Sequence, residues 1–438
     1  MPLSRLLATC AAGVIAAAAA SAAQAVDLVI ATVDNRQMAD MQRLAPEFER
    51  VHPGIRLQWK VLGEDELRKR VAADVAARTG EFDVVTIGMY EAPIWAGKGW
   101  LREFQPDADY DVRDLLPPIR AGLSWNGKLY AAPFYGESSM TLYRTDLLEK
   151  AGVSFAQRPT WTQVREAAAK IHNPQAGVYG VCLRGQPGWG ANMALVTTMV
   201  NAFGGQWFDM QWKPRIDTPA WRSAVGAYVE LLTRYGPPGA VNNNFNENLQ
   251  LFTQGKCGIW VDATVAGAAV LDAKFSRVAD KAGFALAPTG ATAQGAGWLW
   301  AWALAIPASS PRADAAQAFV RWATSKAYLD LVASKLGVLS MPTGTRISTY
   351  RNKAFLSAAR YALIESVAIS MADPRDATLP RSPYVGVQFA AIPQFVAIGD
   401  YTGQRISEVL TGRRSLADAL ADAQRFAEEE MARSGHAR

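Results

Sequence analysis

Three short segments near the start of the chain read LVIATV (Leu28–Val33), IRLQWKV (Ile55–Val61) and FDVVTI (Phe82–Ile87). They are rich in β-branched and apolar residues, which is typical of strands that are buried on at least one face. Between them, apolar residues recur at helical spacing over residues 38–51 and 64–78. The order strand, helix, strand, helix, strand predicts an α/β fold in which helices cover a parallel sheet.

Two polar loops follow the first and third of these segments, Asp34–Gln37 and Met89–Glu91. In open parallel sheets, ligands bind beyond the carboxyl ends of the strands. We therefore expect a ligand-binding site at this edge of the sheet.

A second unit of the same kind follows. Strands are predicted over Gly177–Leu183 and Cys257–Val261, and helices over Met193–Phe203 and Trp221–Tyr235. A chain of 438 residues is too long for one ordinary core. We therefore predict two or three domains, or two lobes that share the chain. Two more helices are predicted to begin after N-caps at Thr160 and Ser415.

The composition is that of a folded globular protein. Hydrophobic residues make up 50% of the chain and charged residues 19%, which excludes a disordered chain and a collagen-like repeat. The 45 Lys and Arg residues exceed the 40 Asp and Glu residues by only five and are scattered, so we predict no nucleic-acid partner. The 14 Trp residues are unusually many, and they need either a core or a ligand to cover them.

The first 25 residues have the features of a secretory signal peptide. Arg5 supplies the positive charge, a run of small and apolar residues follows, and Ala23-Gln24-Ala25 fits an A-x-A cleavage site. The alternative is a membrane anchor, but the apolar run is short and rich in Ala. We predict cleavage after Ala25 and export of a soluble protein.

Cys182 and Cys257 remain after this cleavage, and an oxidising compartment permits a disulfide between them. The alternative is two buried thiols, and the sequence leaves both open. His52, His172 and His436 are isolated, and no HExxH or CxxC motif occurs, so we predict no metal site. No Walker A motif occurs and no GxGxxG follows a strand, so we predict no cofactor.

The strand ends and loops carry a mixture of residues that suits a sugar or polyol. Aromatic rings cover the apolar C–H faces of such a ligand, and polar groups satisfy its hydroxyls, because an unpaired buried hydroxyl costs about 1–3 kcal/mol. The candidate ligand-binding residues are Asn35, Arg36, Tyr90, Glu91, Glu137, Arg184, Trp189, Asn192, Asp262, Trp298 and Trp300.

Several of these candidates have a structural alternative. Asn35 also suits the N-cap of the following helix, and Asp262 suits the cap of the next one. Arg36 can be a solvated charge, and Tyr90 can be a surface residue of its loop. Arg184 can pair with a structural carboxylate instead of a ligand.

The run WLWAW (Trp298–Trp302) contains three indole rings at a spacing of two residues. An extended chain places such residues on one face. Trp298 follows a flexible Gly-Ala-Gly segment, so we expect it and Trp300 to line a cleft. We expect Trp302 to belong to the core.

Longer motifs resemble a known family. They are FDVVTIG (Phe82–Gly88), LYAAPFYGESS (Leu129–Ser139), GKCGIWVDAT (Gly255–Thr264), WLWAW and PYVGVQF (Pro383–Phe389). With them the chain resembles the extracellular solute-binding proteins of carbohydrate-uptake ABC transporters, the group that includes maltose-binding protein. The first motif is general to that group, whereas the other four resemble the sorbitol/mannitol-binding proteins.

This resemblance implies a two-lobed Venus-flytrap fold of type II, with the ligand between the lobes and three chain crossings as the hinge. It implies an N-terminal lobe of residues 26–137 with 298–358 and a C-terminal lobe of residues 138–297 with 359–438. The crossings are expected near residues 137–143, 287–300 and 355–363.

The family's ligand contacts carry over to matching positions of this chain, which are Asn35, Arg36, Tyr90, Glu91, Glu137, Trp189, Asn192, Asp262, Trp298 and Trp300. One departure concerns the first loop. The polyol-binding proteins are expected to read Asn-Asn-Gly-Asp there, whereas this chain reads Asp34-Asn35-Arg36-Gln37. Arg36 adds charge and bulk, which affects ligand preference.

The resemblance implies a monomeric, non-enzymatic periplasmic receptor. It would bind a linear polyol or small sugar and deliver it to inner-membrane ABC permease subunits. One alternative is an exported glycan-active hydrolase that uses Glu91, Glu137 or Asp262 as paired carboxylates. Another is a protein of the same fold that binds an oligosaccharide, an amino acid or a phosphodiester.

Overall fold

The computed structural model describes residues 25–434, so the predicted signal peptide lies outside the described residues except for Ala25. The main strands are β1 (Val26–Val33), β2 (Ile55–Leu62), β3 (Val84–Ile87), β4 (Ala131–Glu137), β5 (Ser139–Arg144), β6 (Tyr179–Cys182), β7 (Cys257–Ala263), β8 (Ala282–Leu286) and β9 (Trp300–Ala305). Two shorter strands, Ser124–Trp125 and Lys128–Leu129, form a small hairpin.

The α-helices are α1 (Arg36–Val51), α2 (Glu64–Ala77), α3 (Glu91–Gly97), α4 (Pro117–Gly122), α5 (Thr145–Lys150), α6 (Trp161–Ile171), α7 (Asn192–Ala202), α8 (Pro219–Tyr235), α9 (Phe245–Thr253), α10 (Ala266–Leu271), α11 (Ala313–Ala323), α12 (Lys326–Leu336), α13 (Lys353–Ala358), α14 (Ala362–Met371), α15 (Phe395–Leu410) and α16 (Leu416–Arg433). None of these described helices has the length and apolar character needed to cross a membrane.

The first sheet has five strands in the order β2-β1-β3-β9-β4. β1 pairs in parallel with β2 and β3, which confirms the prediction for this part of the chain. β9, which lies outside the predicted strand-helix repeat, runs antiparallel to both β3 and β4, so the sheet as a whole is mixed. The physical reason is that β9 enters after the chain has returned from the second sheet, and it therefore arrives from the opposite end.

The second sheet has four strands in the order β8-β5-β7-β6. β6 and β7 are parallel, whereas β5 is antiparallel to β7 and β8. Helices α1, α2 and α11 pack on the first sheet, and α6, α8, α9 and α14 pack on the second. The five-stranded sheet with its helices is called the first lobe below, and the four-stranded sheet with its helices the second lobe.

The chain crosses between the lobes beside a close contact of two backbone segments. β4 ends at Glu137 in the first sheet, and β5 begins at Ser139 in the second. Next to this crossing, the Gly136 N–H donates to the Thr343 carbonyl at 2.8 Å. Gly344 has a φ of +75°, and an added Cβ there would lie 1.9 Å from the Gly136 oxygen, so only glycine fits. The finer residue limits given above for each lobe stay a prediction.

Helix α1 confirms the predicted apolar stripe, since Met38, Met41, Leu44 and Phe48 are buried. Val51, which was predicted on the same stripe, is 52% exposed, because it is the last residue of α1 and lies beyond the cover of the sheet.

The predicted N-caps at Thr160 and Ser415 are confirmed, because each side-chain oxygen accepts a hydrogen bond from a backbone N–H of the first turn. The loop predicted at Met89–Glu91 is shorter than expected, because Glu91 already begins α3.

A disulfide joins Cys182, the last residue of β6, to Cys257, the first residue of β7. Their Cα atoms are 6.1 Å apart, and both side chains are buried. Of the two alternatives that the sequence leaves open, the structure therefore has the disulfide.

We predict that Cys182→Ala/Cys257→Ala lowers the free energy of unfolding by up to about 4 kcal/mol, because the bond closes a long loop in the unfolded chain. Urea denaturation measures this difference. Reductant should lower the stability of the wild type toward that of the variant and leave the variant unchanged. Equal midpoints without reductant would contradict the prediction.

Candidate functional site

A cavity of about 390 Å³ lies between the two lobes, at the carboxyl ends of β1 and β4. Small-molecule sites have volumes of roughly 300–1,000 Å³, so this cavity is at the small end of that range. Both lobes contribute to its wall. The side chains that line it include Asn35, Glu64, Arg68, Tyr135, Glu137, Arg184, Trp189, Phe245, Trp298, Trp300, Trp302 and Gln388.

Three indole rings at a spacing of two residues, Trp298, Trp300 and Trp302, line this cavity together. The pleat of β9 explains why Trp300 and Trp302 share a face, since alternate side chains of a strand do so, and Trp298 lies two residues before this strand. Gly88 leaves the necessary room, because an added Cβ there would lie 1.8 Å from Cζ2 of Trp300. Trp302 belongs to the buried core, as expected, and it also lines the cavity. Its ring is buried, but the space that it faces is the cavity.

The indole N–H of Trp298 has no hydrogen-bond partner among the described residues. This side chain is only 2% exposed, so the donor is buried while its residue lines the cavity. A buried polar group without a partner is costly. A ligand hydroxyl in the cavity is the kind of acceptor that would satisfy it.

Glu137, the last residue of β4, lines the cavity with a buried carboxyl group that accepts no hydrogen bond from any described residue. Burial raises the pKa of this carboxyl to about 8. Nearby Arg184 lowers the pKa, whereas the carboxylates of Asp262, Glu64 and Glu365 raise it. At neutral pH and without a ligand, the group is therefore largely protonated and can both donate and accept a hydrogen bond.

Arg184 and Asp262 form a buried ion pair in the second lobe, with 2.7 Å between Nη2 and Oδ1. Asp262 is fully buried and also accepts from the Trp260 indole at 3.1 Å. Arg184 additionally donates to the Gly190 carbonyl at 3.1 Å, and its guanidinium lies 5.2 Å from the centroid of the Trp298 ring. The structure thus places Arg184 at the cavity and Asp262 behind it, as its positioning partner.

Arg68 on α2 lines the cavity, although the sequence did not predict it as a site residue. Its guanidinium carbon lies 4.3 Å from the ring centroid of Trp189, 4.9 Å from that of Trp300 and 4.8 Å from that of Trp302. These distances are typical of cation–π contacts. Since Trp189 belongs to the second lobe, Arg68 joins the two lobes at the cavity wall.

Asn35 has both of the roles that the sequence allows. Its Oδ1 accepts from the Met38 N–H at 3.0 Å, which caps α1. Its Nδ2 donates to the Tyr135 hydroxyl at 2.9 Å, and both residues line the cavity. Because Asn35 caps α1, the orientation of its side chain at the cavity wall is fixed.

Tyr90 and Glu91 lie outside this cavity and line a neighbouring one. The Tyr90 hydroxyl donates to the Ile392 carbonyl at 2.9 Å. Glu91 accepts from the Gly88 N–H at 2.9 Å and forms an ion pair with Arg68 at 2.5 Å. Both side chains are thus engaged by the protein, because α3 begins earlier than expected and turns them away from β1.

Arg36 and Asn192 are also placed away from the cavity. Arg36 forms an ion pair of 2.6 Å with Asp272, which follows α10, so it links the two lobes instead of facing a ligand. Asn192 is fully buried, and its amide holds the Gly188 N–H at 3.2 Å and the Gly403 carbonyl at 3.0 Å. A ligand role for these two residues stays a prediction that the geometry does not favour.

The cavity thus combines four Trp rings with two arginines, several amides and several carboxyl groups, Glu137 among them. This chemistry suits a small ligand rich in hydroxyl groups, because the rings cover C–H faces and the polar groups pair with hydroxyls. Within the described residues, no group of three or more His, Cys, Asp and Glu side chains is arranged to hold a metal ion.

Comparison with known proteins identifies relatives over most of the chain. The family model described as bacterial extracellular solute-binding protein matches residues 32–329. A mannitol-binding protein of Pseudomonas aeruginosa is 52% identical over 410 residues, which cover 93% of this chain and 94% of that protein.

Solved structures give a consistent result. The chain is similar to an ABC transporter solute-binding protein from Agrobacterium vitis S4 whose structure contains bound D-mannitol. The TM-score is 0.92 and the sequence identity is 50%, and the match covers 93% of this chain and 99% of that one. It is also similar to such a protein from Agrobacterium radiobacter K84 in complex with ribitol, with a TM-score of 0.82 and the same coverages. There the identity is 24%, so the similarity concerns the fold alone. The predicted family and two-lobed α/β fold are confirmed.

The raised pKa of Glu137 predicts a pH dependence of stability. The folded protein keeps a proton that the unfolded chain, with a pKa of about 4.5, loses. The free energy of unfolding therefore falls as the pH rises from about 4.5 to about 8. Glu137→Gln removes this titration, so its thermal midpoint without ligand should rise relative to that of the wild type as the pH increases across this window.

The thermal midpoints of both proteins, measured between pH 5 and about 8.5, test this prediction. Burial also raises the pKa of Glu365, to about 7, but this residue is present in both proteins and largely cancels in the comparison. A difference between the two midpoints that does not change with pH would contradict the prediction.

Proposed function

This chain belongs to the bacterial extracellular solute-binding protein family, and we propose that it is the receptor of an ABC transporter that takes up a hexitol such as mannitol or sorbitol. The proposal includes export by a signal peptide cleaved after Ala25 and a periplasmic location. It further includes action as a monomer, without catalysis, and delivery of the ligand to inner-membrane permease subunits.

The observation that carries the proposal is the cavity between the lobes, in which the rings lie beside unpaired polar groups. The buried Trp298 N–H has no hydrogen-bond partner among the described residues, and the Glu137 carboxyl lines the same cavity, so each gains a hydrogen bond when a hydroxyl enters. An open-chain polyol has a hydroxyl on every carbon and can reach both groups at once. The relative that is 52% identical is named a mannitol-binding protein, which supports the same ligand class.

The arrangement also supports a closure mechanism. Glu137 and Trp300 belong to the first lobe, whereas Arg184 and Trp189 belong to the second, and all four line one cavity. A ligand can contact all of them only when the lobes are together. The ligand then stabilises the closed state by its higher affinity for that state, and the permease distinguishes closed from open receptors by shape.

The geometry favours binding over hydrolysis. A glycosidase needs two carboxyl groups that act on one bond from opposite sides. Of the three carboxyl groups that were candidates, Asp262 is bonded to Arg184 behind the cavity, and Glu91 is paired with Arg68 beside another cavity. Of these three, Glu137 alone lines the cavity, so they do not form a pair there, and its carboxyl suits hydrogen bonding to a ligand.

Titration calorimetry of the mature protein with D-mannitol, D-sorbitol, D-arabitol, D-glucose and maltose tests the proposal. We expect the hexitols to bind more tightly than glucose and maltose, because a ring sugar presents fewer free hydroxyls along an extended chain. A protein that binds none of these five ligands would overturn the proposed function.

We predict that Glu137→Ala and Trp300→Ala each weaken hexitol binding by about tenfold or more, through the lost hydroxyl partner and the lost ring face respectively. Trp125→Ala serves as the matched control, because Trp125 is 37% exposed and belongs to the small hairpin away from the cavity. Its affinity should equal that of the wild type. Unchanged binding in both cavity variants would place the ligand elsewhere.

A further inference from the structure

A second cavity, of about 420 Å³, adjoins the first one. It too lies between the lobes, since α2 and α3 form one wall and the residues around Trp189 and α15 form the other. Arg68, Trp189 and Asp65 line both cavities. A side chain that lines two neighbouring cavities stands between them, so these residues form a partition.

Arg68 is the rigid part of this partition. Its guanidinium is held by Glu64 at 2.9 Å and by Glu91 at 2.5 Å, and its side chain is only 12% exposed. The two carboxylates offset the cost of burying the cation, and the stacking on three Trp rings described above fixes its plane. Such a side chain does not move aside for a ligand without losing both ion pairs.

Trp189 completes the partition from the second lobe. Its backbone N–H donates to Asp400 on α15 at 2.8 Å, and its ring packs against Tyr90 and Trp300, with centroids 5.0 and 6.0 Å away. The ring therefore cannot swing out while the lobes are closed. The partition forms only when Trp189 meets Arg68 across the cleft.

The second cavity has the same kind of lining as the first. Tyr90 and Trp95 offer ring faces, and Lys69, Asp400 and Gln404 offer polar groups. Space and chemistry for a second sugar unit are thus present next to the proposed hexitol site. What separates the two spaces is the side chain of Arg68 stacked on Trp189.

We infer that Arg68, with Trp189, is the specificity-determining residue that limits the ligand to the length of one hexitol. This inference rests on the proposed function and identifies how its site rejects longer ligands. Without the Arg68 side chain, the two cavities join into one space of roughly twice the volume, which reaches the size that a two-unit ligand needs.

The test compares two variants that differ only at position 68. Removal of Arg68 alone would leave the buried Glu91 without its cation, at a cost in stability. Both variants therefore carry Glu91→Gln, which keeps an acceptor for the Gly88 N–H. Arg68→Ala/Glu91→Gln opens the partition, whereas Arg68→Met/Glu91→Gln keeps an unbranched side chain of similar length in the gap.

Calorimetry with D-mannitol and with maltitol, a hexitol that carries one glucose ring, gives the readout. We expect the wild type and the Arg68→Met/Glu91→Gln variant to bind maltitol weakly or not at all. The Arg68→Ala/Glu91→Gln variant should bind maltitol at least about tenfold more tightly than the Arg68→Met/Glu91→Gln variant does, because space for the glucose ring of maltitol is then open. Mannitol affinity, measured in parallel, shows how far each variant changes the first cavity itself, which Arg68 also lines.

Equal maltitol affinities of the two variants would overturn the inference, as would a wild type that binds maltitol as tightly as mannitol. A wild type that binds neither ligand would contradict the proposed function instead, so the two failures are distinguishable. If circular dichroism shows that the Arg68 variants are unfolded, Trp189→Ala opens the same partition from the second lobe. A gain in maltitol affinity of that variant over the wild type would then support the inference, and no gain would overturn it.

Discussion

The pleat of β9 holds a row of indole rings against one cavity, and most of the site is built on that row. β9 is hydrogen-bonded on both sides, to β3 and to β4, so Trp300 and Trp302 cannot turn away without breaking the sheet. Gly88 has no side chain because the ring of Trp300 occupies that space. Arg68 stacks on the same rings, and Trp189 reaches them from the other lobe. The position of this row therefore determines where the lobes can meet.

Three buried ionisable side chains, Arg184, Arg68 and Glu137, lie beside the rings, and the two arginines differ from Glu137 in having a partner of opposite charge. Arg184 is neutralised by Asp262, and Arg68 by Glu64 and Glu91, so both cations are held in place at the cost of their mobility. Glu137 has no such partner, and its raised pKa reflects that burial. A neutral polyol can satisfy a protonated carboxyl without bringing a new charge into the cleft. The site is thus suited to hydroxyl groups, and both of its arginines are already paired with carboxylates.

Much of the site could be predicted, because its residues lie at strand ends or in recognisable motifs. Those that line the cavity as expected are Asn35, Glu137, Arg184, Trp189, Trp298 and Trp300. Arg68 could not be found in this way, since a cation four residues after Glu64 is the ordinary pattern of an exposed helix surface. Trp302 was assigned to the core because periodicity predicts which side chains share a face and does not predict what that face meets.

Spacing along the chain was enough to predict β1, β2 and β3, helices α1, α2, α7 and α8, the caps of α6 and α16 and the α/β class, because these depend on neighbours a few residues apart. Partners far apart in the chain were not accessible in this way. Arg184 and Asp262 are 78 positions apart and meet because two strands of the second sheet pair, whereas Arg36 and Asp272 are 236 positions apart and meet across the lobes. The direction of β9 and the unpaired carboxyl of Glu137 have the same origin. Both depend on which distant segments of the chain come to lie side by side, and only the folded structure decides that.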